Sequence, residues 1–218
     1  PVTVSAISML ADAKLDTEIT LMLDKVPGLK EKLELGIDVI EFGSGEAKLI
    51  SQLAQQFPNS RFTGSDYSDF SVGRAQQTLA DKGIKNFTVK KLDILNVPDS
   101  FKFKYDFAFV NDVIHDLPDP QGGLAGLRKV LKPESFMVMI DFGTDKDVTV
   151  NKKVPGLASA YAVSSFHCVP QAYLSENSSV LGCCWGIDTA IRYSEKAGFK
   201  VLSQHPNFGF FVVFVCQA

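Results

Sequence analysis

An apolar strand that runs directly into a glycine turn constrains the fold of this chain more than any other segment. The strand is predicted at Asp38–Phe42, and Gly43 and Gly45 follow it at once. Glycine lets the backbone pass close beneath a bound ligand, because a side chain would occupy the ligand's space. Apolar residues at helical spacing over 48–57 then predict a helix whose N-terminus points at the same ligand. By itself this turn is a weak signal, since many nucleotide-binding domains share it.

Strand-like and helix-like segments alternate through the middle of the chain. The predicted strands are residues 38–42, 61–64, 86–92, 105–110 and 136–140, and the predicted helices are residues 48–57, 71–82 and 122–131. The fourth strand is continuously apolar, as is typical of a parallel sheet that is covered on both faces. The alternation therefore predicts a doubly wound α/β domain with a largely parallel sheet.

Both ends of the chain depart from this alternation. Residues 1–35 predict helix, and residues 143–185 form a long irregular insert with one helical piece at about 158–166. A structureless loop of that length is suspect in a compact domain, so we interpret the insert as a functional cap.

The last segment predicts a helix and two strands, at 186–197, 199–203 and 208–216. The turn between the two strands, His205-Pro206-Asn207, is short and suits a hairpin. The last strand should therefore run antiparallel to the rest of the sheet.

Composition excludes several classes of function. The 218 residues suit one domain, with 45% hydrophobic and 22% charged residues. The net charge of −3 argues against a nucleic-acid surface, and no apolar run approaches the about 20 residues of a membrane span. The four cysteines lack the spacing of a disulfide framework or a CxxC metal site, so we expect reduced thiols in a cytoplasmic protein. Because the chain begins with Pro1 rather than Met, we expect a processed or truncated product. Residues 1–10 lack the basic start and apolar run of a signal peptide.

Polar residues follow each predicted strand, at the edge where open α/β sheets bind their ligands. Glu41 lies inside the end of the first strand, and Asp66 follows the second at a separation from Gly43 that suits hydrogen bonds from both ribose hydroxyls. Asp93 and Ile94 follow the third strand, and a carboxylate beside an apolar residue suits an adenine ring with its amine. The fourth strand leads into residues 111–116, Asn-Asp-Val-Ile-His-Asp. Each signal is weak, but four of them along one edge are strong jointly.

Each of these residues also has a plain structural interpretation. Asp66 could cap the following helix, and Asp93 could be a turn residue before Pro98. Glu41 could bind the amino-acid end of a ligand or hold the glycine loop through backbone N–H groups. We favour ligand binding for Asp66 and Asp93 and leave both roles of Glu41 open.

In four pieces the chain resembles the class I S-adenosylmethionine-dependent methyltransferases. These are residues 39–45 (Val-Ile-Glu-Phe-Gly-Ser-Gly), 64–68 (Gly-Ser-Asp-Tyr-Ser), 91–94 (Lys-Leu-Asp-Ile) and 127–133 (Leu-Arg-Lys-Val-Leu-Lys-Pro). The resemblance implies an α/β, Rossmann-like, seven-stranded and mostly parallel sheet with an antiparallel C-terminal strand and helices on both faces. It also implies S-adenosylmethionine as cofactor, S-adenosylhomocysteine as product and a small molecule as methyl acceptor. The implied cofactor contacts are Glu41, Gly43, Ser44, Gly45, Asp66, Tyr67, Asp93, Ile94 and Asn111.

A tighter resemblance is to a small-molecule methyltransferase subfamily that carries an N-terminal winged-helix module. Its features are residues 113–117 (Val-Ile-His-Asp-Leu), 164–170 (Ser-Ser-Phe-His-Cys-Val-Pro), 181–186 (Leu-Gly-Cys-Cys-Trp-Gly) and 197–199 (Ala-Gly-Phe). Residues 1–35 predict a helical segment and no such module, so we expect a fragment or a shortened relative. Residues 36–218 are then the methyltransferase domain, with 143–185 as its substrate-side cap. We leave a homodimer open, since loss of that module could also mean loss of dimerisation.

His115 is the main candidate for a general base. The resemblance places the segment after the fourth strand beside the sulfonium methyl, and histidine suits the role because its pKa lies near neutrality. Asp116 is a candidate beside it, and either residue could instead cap the turn at 117–120. His167, in the insert, is a second candidate base.

The insert and its flank also supply candidate acceptor contacts. Tyr161 and Trp185 could line an apolar acceptor pocket, although aromatic residues are more often core. We predict no metal site, because the adjacent Cys183 and Cys184 rarely hold one ion without two further ligands.

Two rival classes remain open at this stage. An NAD-dependent dehydrogenase would share the glycine turn and the acidic ribose contact, but Glu41, Ala47 and the terminal hairpin argue against it. A non-catalytic cofactor-binding module is the other rival. Ala47 stands where many relatives have a third glycine, and we expect its methyl group to narrow the site slightly. The residues do not reveal the acceptor or its methylated atom.

Overall fold

The computed structural model describes residues 2–173 and 177–218. Within them, one sheet is built from strands β1 (Asp38–Phe42), β2 (Arg61–Asp66), β3 (Phe87–Lys91), β4 (Tyr105–Asn111), β5 (Leu131–Phe142), β6 (Lys200–Pro206) and β7 (Phe211–Gln217). The strands lie in the order β3-β2-β1-β4-β5-β7-β6. Strands β1 to β5 pair in parallel, and β7 pairs antiparallel with both β5 and β6. This confirms the predicted seven-stranded α/β sheet with its antiparallel C-terminal strand.

Helices surround this sheet in the described part of the chain. They are α1 (Val2–Lys25), α2 (Leu29–Leu35), α3 (Lys48–Gln56), α4 (Asp69–Lys82), α5 (Pro120–Val130), α6 (Val148–Asn151), α7 (Leu157–Val163), α8 (Val169–Ala172) and α9 (Ile187–Lys196). Local sequence explains their ends: Asp119 accepts a hydrogen bond from Gly122 N at the start of α5, and Gly83 ends α4 at φ 62°. Among the described residues, no helix has the length and apolar character needed to span a bilayer.

The central strands are buried on both faces. In β4, Phe107 and Phe109 point into a core shared with α1, α2 and α3, whereas Ala108 and Val110 point into the opposite core, shared with α5 and α9. Side chains of successive residues alternate between the faces of a strand, so a continuously apolar strand fills both cores. The apolar residues of the predicted strand at 105–110, which Asp106 alone interrupts, therefore pack into both cores.

The terminal hairpin differs from its prediction in its turn. Strand β6 extends through Pro206, where His205 pairs with Val213 and Pro206 with Val212. The predicted turn at 205–207 is therefore wrong, and the chain reverses at residues 207–210 instead. Strand β6 lies at the edge of the sheet, where a proline without an N–H is tolerated.

The insert is more helical than predicted. The expected piece at about 158–166 is α7, and it continues through a π-helical turn, Ser164–Cys168, into α8. Pro170 has no N–H with which to bond the carbonyl four residues earlier, in keeping with the wider turn before it. Short π-helical turns occur frequently at functional sites.

Helix α1 packs on the sheet through one stripe. Leu15, Ile19 and Met22, spaced by four and three residues, and Val26 directly after the helix are buried in the core that contains α3. This packing places the turn of α1 that contains Lys14 and Glu18 at the carboxyl edge of the sheet, where a ligand site is expected.

Candidate active site

A cavity of about 500 Å³ opens at the carboxyl ends of β1 and β4. Its walls come from α1, the glycine turn after β1, the loop after β4, the end of β5, the insert and the turn between β6 and β7. The cavity brings together a large part of the predicted site: Glu41, Gly43, Ser44, Gly45, Asn111, His115, Asp116 and His167. Residues that lie far apart in the sequence thus meet at the predicted edge of the sheet.

The glycine turn meets two different demands. Gly43 has φ 66°, and a Cβ atom there would collide with the side chain of Val113. Gly45 has φ 54°, and a Cβ atom there would meet nothing within 4 Å, so its backbone is open to a ligand. Ala47, also at positive φ (58°), is fully buried in the core and lies outside the cavity wall. The expectation that Ala47 narrows the site is therefore wrong, because its methyl group packs inward.

Asp66 ties two loops together. One carboxylate oxygen accepts from Gly45 N at 3.1 Å, and the other accepts from Ser68 N at 2.9 Å. Asp66 does not cap α4, since the Ser68 hydroxyl accepts from Ser71 N at that position. The carboxylate thus holds the glycine turn in place. Its contact with a ribose stays a prediction, as Asp66 is outside the cavity wall.

The remaining adenosine candidates also lie outside the cavity wall. Asp93 accepts from Leu95 N at 2.9 Å and from Asn96 Nδ2 at 2.6 Å, which is the turn role. Ile94 is buried in the core, and Tyr67 is 71% exposed. Their contacts with the adenine and ribose stay predictions that this geometry does not favour or exclude.

Glu41 is a buried carboxylate with one oxygen uncommitted. It accepts a hydrogen bond from the backbone of Ile50, in the first turn of α3, so it holds the helix rather than the glycine loop. Its Oε2 atom is buried without a hydrogen-bond partner. Burial first, and then the negative charges of Glu18 and Asp66, raise the pKa of Glu41 well above its ordinary value.

Helix α1 contributes a part of the site that the sequence did not reveal. Lys14 and Glu18 both line the cavity and are 4% and 1% exposed. Glu18 pairs with Lys14 at 3.4 Å and accepts from Asn111 Nδ2 at 2.9 Å. A lysine and a glutamate four residues apart are typical of a solvent-exposed helix face, so no sequence signal marked them.

His115 is held by two carboxylates. Its Nδ1 atom lies 2.8 Å from Asp141 Oδ1 and its Nε2 atom 3.2 Å from Asp116 Oδ1, and the ring is 2% exposed. Burial alone would lower the pKa of His115, but the charge of Asp141 and the hydrogen bonds of both carboxylates raise it well above its ordinary value. The ring also packs edge-on against Phe142, with centroids 5.7 Å apart.

Asp141 is the centre of this network. It is fully buried, and its Oδ1 atom accepts from Trp185 Nε1 at 3.2 Å and from Phe142 N at 2.7 Å. The sequence carried a signal for it, since Asp141 follows the apolar core of the fifth strand as the other candidates follow theirs.

The insert closes the site from the other side. His167 and Cys168, in the π-helical turn, line the cavity beside Asp116. Burial tends to raise the pKa of Asp116, but the hydrogen bond and charge of His115 lower it more, with smaller contributions from Cys168 and His167. The Asp116 carboxylate is therefore ionised beside a histidine.

The two predicted acceptor contacts lie elsewhere. Trp185 is buried in the core below the site, where it supports Asp141. The hydroxyl of Tyr161 accepts from Asn151 Nδ2 at 2.6 Å, within the insert. Neither residue lines the cavity, so a direct contact with an acceptor stays a prediction without support from the geometry.

A family model described as "Methyltransferase domain" matches residues 33–195. The chain belongs to this family of methyltransferase domains. The match begins within α2 and ends within α9, so it spans the glycine turn, the loop after β4 and the insert.

Individual relatives agree with the family. A demethylmenaquinone methyltransferase from Desulfitobacterium hafniense is 26% identical over 180 residues, covering 75% of this chain and 70% of that protein. A highly reducing polyketide synthase from Aspergillus sclerotiorum is 29% identical over 145 residues, covering 64% of this chain but 5% of that protein. The solved structure of a SAM-dependent methyltransferase from Aquifex aeolicus superposes with a TM-score of 0.61 at 19% identity, covering 90% of this chain and 92% of the other. This methyltransferase chain thus spans only a small part of the synthase that it matches.

Family membership decides between the two nucleotide-type cofactors. It supports S-adenosylmethionine and a methyltransferase activity, and it leaves the dehydrogenase interpretation without support. The residues present fit this cofactor: the open backbone at Gly45 admits a ligand, and the unpartnered oxygen of Glu41 is an acceptor for the ammonium of its amino-acid end.

Proposed function

We propose that this methyltransferase domain transfers a methyl group from S-adenosylmethionine to a small, largely apolar acceptor that occupies the cavity beside His115. The cofactor supplies a methyl group that its positive sulfur already activates. The observation that carries the proposal is His115 in the cavity wall, with its Nδ1 atom fixed by Asp141. The protein then has two tasks, to align the acceptor with the methyl group and to take the acceptor's proton.

His115 takes that proton at Nε2 in this proposal. Asp141 accepts from Nδ1–H and so orients the ring, as the carboxylate does in other carboxylate–histidine pairs. The charge of Asp141 raises the pKa of His115 well above its ordinary value, which favours the protonated ring. A positive charge bound in the cavity favours the neutral imidazole, so we expect the base form to increase when the cofactor is bound.

The rest of the wall indicates the kind of acceptor. Aromatic rings from the end of β5, the turn before β7 and the first residue of β7, together with Val163 of the insert, form much of its apolar part: Phe142, Phe208, Phe210 and Phe211. We therefore propose that residues 143–185 act as a substrate-side cap on a catalytic domain of residues 36–218. The relatives named as a polyketide synthase and a demethylmenaquinone methyltransferase support an apolar acceptor of the polyketide or quinone kind.

Titration calorimetry tests the cofactor, with S-adenosylhomocysteine and NAD measured side by side. We expect saturable binding of the first and none of the second, and the opposite result would contradict the proposal. Transfer is then measured with S-adenosylmethionine carrying a labelled methyl group against a panel of quinols, phenols and β-keto thioesters. Binding of the cofactor with no labelled product from any acceptor would favour the non-catalytic module instead.

We further propose a cytoplasmic protein that acts on small molecules without a nucleic-acid or membrane partner. The free thiols Cys168, Cys183, Cys184 and Cys216 support a reducing compartment. A homodimer is the remaining proposal, and Phe166 and Tyr173, which are 87% and 75% exposed on the insert, support it. Sedimentation of the purified chain tests the dimer.

A further inference from the structure

Metal-ligating side chains converge at the acceptor side of the cavity. Ligand atoms of His115, Asp116 and Cys168 all lie within 4.8 Å of one another. His115 and Cys168 are buried and Asp116 is half-buried, so the cluster is not a group of solvated surface residues. A mixed set of nitrogen, oxygen and sulfur donors is typical of zinc, whereas magnesium and calcium take oxygen ligands.

The orientation of His115 is the one that a metal ligand needs. Asp141 lies at Nδ1 (2.8 Å), which leaves Nε2 directed at Asp116. Histidine ligands almost always donate their second ring N–H to a carboxylate or carbonyl, which fixes the tautomer and raises the basicity of the ligating nitrogen. Asp141 is held in turn by Trp185 and the backbone of Phe142.

Asp116 provides a separate observation. Its Oδ1 atom is buried and lies 3.2 Å from His115 Nε2. Two ligands at the usual zinc distances on one tetrahedral ion lie about 3.3 Å apart. The pair is thus spaced as two ligands of one ion are, and Cys168 Sγ is the third donor atom.

We propose that His115, Asp116 and Cys168 form a binding site for a thiophilic divalent ion of the Zn²⁺ class, with the fourth position facing the cavity. Water or an oxygen or sulfur anion of an acceptor would fill that position. Zn²⁺ binds the neutral imidazole and the thiolate, so the protons of His115 and Cys168 are released on binding. Both the metal and the general base use the lone pair of Nε2, so a molecule that carries the metal cannot use His115 as its base.

Cobalt binding to the intact, reduced and metal-stripped chain tests the site. Co²⁺ gives visible bands whose intensity reports tetrahedral geometry and a near-ultraviolet charge-transfer band when a thiolate is a ligand. We expect both sets of bands at one Co²⁺ per chain and their disappearance when Zn²⁺ is added. No charge-transfer band at several equivalents of Co²⁺ would overturn the proposal, whatever the outcome of the cofactor titration.

Variants assign the ligands. Cys168→Ser should abolish the charge-transfer band, and Asp141→Asn should keep it while weakening the affinity by about 10–100-fold, as expected of a residue that positions a ligand. Cys184→Ser is the matched control, because its thiol lies near Cys183 in the same region but is not in the cluster. Loss of the band in Cys184→Ser, or its persistence in Cys168→Ser, would assign the metal to other thiols and overturn the proposal. Far-ultraviolet circular dichroism of each variant verifies that it is folded, and Asp116→Asn, which should weaken Co²⁺ binding, replaces Asp141→Asn if that buried variant fails this check.

Discussion

The two halves of the cavity are built in different ways. On the side of β1 and β2, backbone groups and neighbouring residues do the shaping: Gly43, Gly45 and Asp66 lie within one strand–helix–strand unit. On the side of β4 and β5, the site is a network of side chains from separate elements, His115, Asp141 and the insert. In the proposed function, the first half binds the cofactor through main-chain shape, and the second presents titratable groups to the acceptor.

This difference teaches where function can vary in such a domain. A main-chain cradle tolerates few changes, because its shape depends on glycine φ angles and on one carboxylate. A side-chain network can be altered one residue at a time without moving the backbone. We therefore expect substitutions in the first half to act on folding and cofactor affinity, and substitutions in the second to act on turnover.

The largest expected effect is on the acceptor side. His115→Ala should lower turnover by about 10²–10⁴-fold with little change in the affinity for S-adenosylhomocysteine, because it removes a base that does not hold the cofactor. Turnover is measured with labelled cofactor, and His205→Ala, on β6 outside the cavity wall, is the matched control. An unchanged rate would remove His115 from the mechanism, and a comparable loss in His167→Ala would transfer the role to that residue.

The same network fixes the pH dependence of turnover. Since the pKa of His115 is raised above its ordinary value of 6.5, the neutral base forms only as the pH rises through that higher value. The rate should therefore rise with pH on a limb above 6.5, and Asp141→Asn should move the limb to lower pH by removing the principal charge that raises it. A limb that stays in place in this variant would contradict the assignment.

On the cofactor side, a substitution of Gly43 should lower the stability of the fold more than the same substitution of Gly45. Gly43→Ala places a methyl group against Val113 at a positive φ, so we expect the free energy of unfolding to fall by about 2–4 kcal/mol. In Gly45→Ala the added methyl group has open space, so only backbone strain lowers the free energy of unfolding, by about 1 kcal/mol. Urea denaturation measures both, and equal losses would show that the contact with Val113 does not limit the turn.

A smaller effect concerns Glu41, the buried carboxylate between the two halves of the cavity, and the pH dependence of stability. Because the folded pKa of Glu41 is raised, the folded state holds a proton that the unfolded state has released above pH 4.5. Stability is therefore highest below 4.5 and falls as the pH rises towards the folded pKa, by at most about 1.4 kcal/mol per pH unit for one proton. Glu41→Gln should flatten this fall. Urea denaturation at a series of pH values measures this fall in the free energy of unfolding, with Glu34→Gln on the exposed face of α2 as control. An equal change of stability with pH in Glu41→Gln and the wild type would contradict a proton bound to buried Glu41.

The smallest expected effect lies away from the cavity. Glu134 has φ 61° in β5, where glycine avoids the cost of the left-handed region. Glu134→Gly should raise the free energy of unfolding by about 0.5–1 kcal/mol, the net of relieved strain and added chain entropy. Glu134→Ala is the control, since it also loses the hydrogen bond to Gln217 but keeps the strain. No difference between the two variants would show that the backbone there is unstrained.

Much of the fold was predictable because its signals are local. Strand β1 and the start of α3 have the predicted residues, since apolar periodicity and the glycine turn lie in adjacent positions. The extent of β5 was not predictable: it begins at Leu131, straight after α5, and its pairing with β4 shifts register after Tyr105. Such a register depends on the neighbouring strand, which local periodicity does not describe.

The candidate site divides in the same way. The sequence by itself determined the strand–turn–helix at residues 38–56 and the polar residues after each strand, because these follow from backbone freedom and from the common direction of parallel strands. Only the tertiary structure brought Glu18 to Asn111, and Asp141 and Cys168 to His115, since no spacing rule relates residues on different elements. Trp185 was predicted to line the acceptor pocket, but in the structure its indole N–H donates to Asp141. Only the packing of the folded chain decides whether an aromatic side chain contacts a ligand or lies in the core.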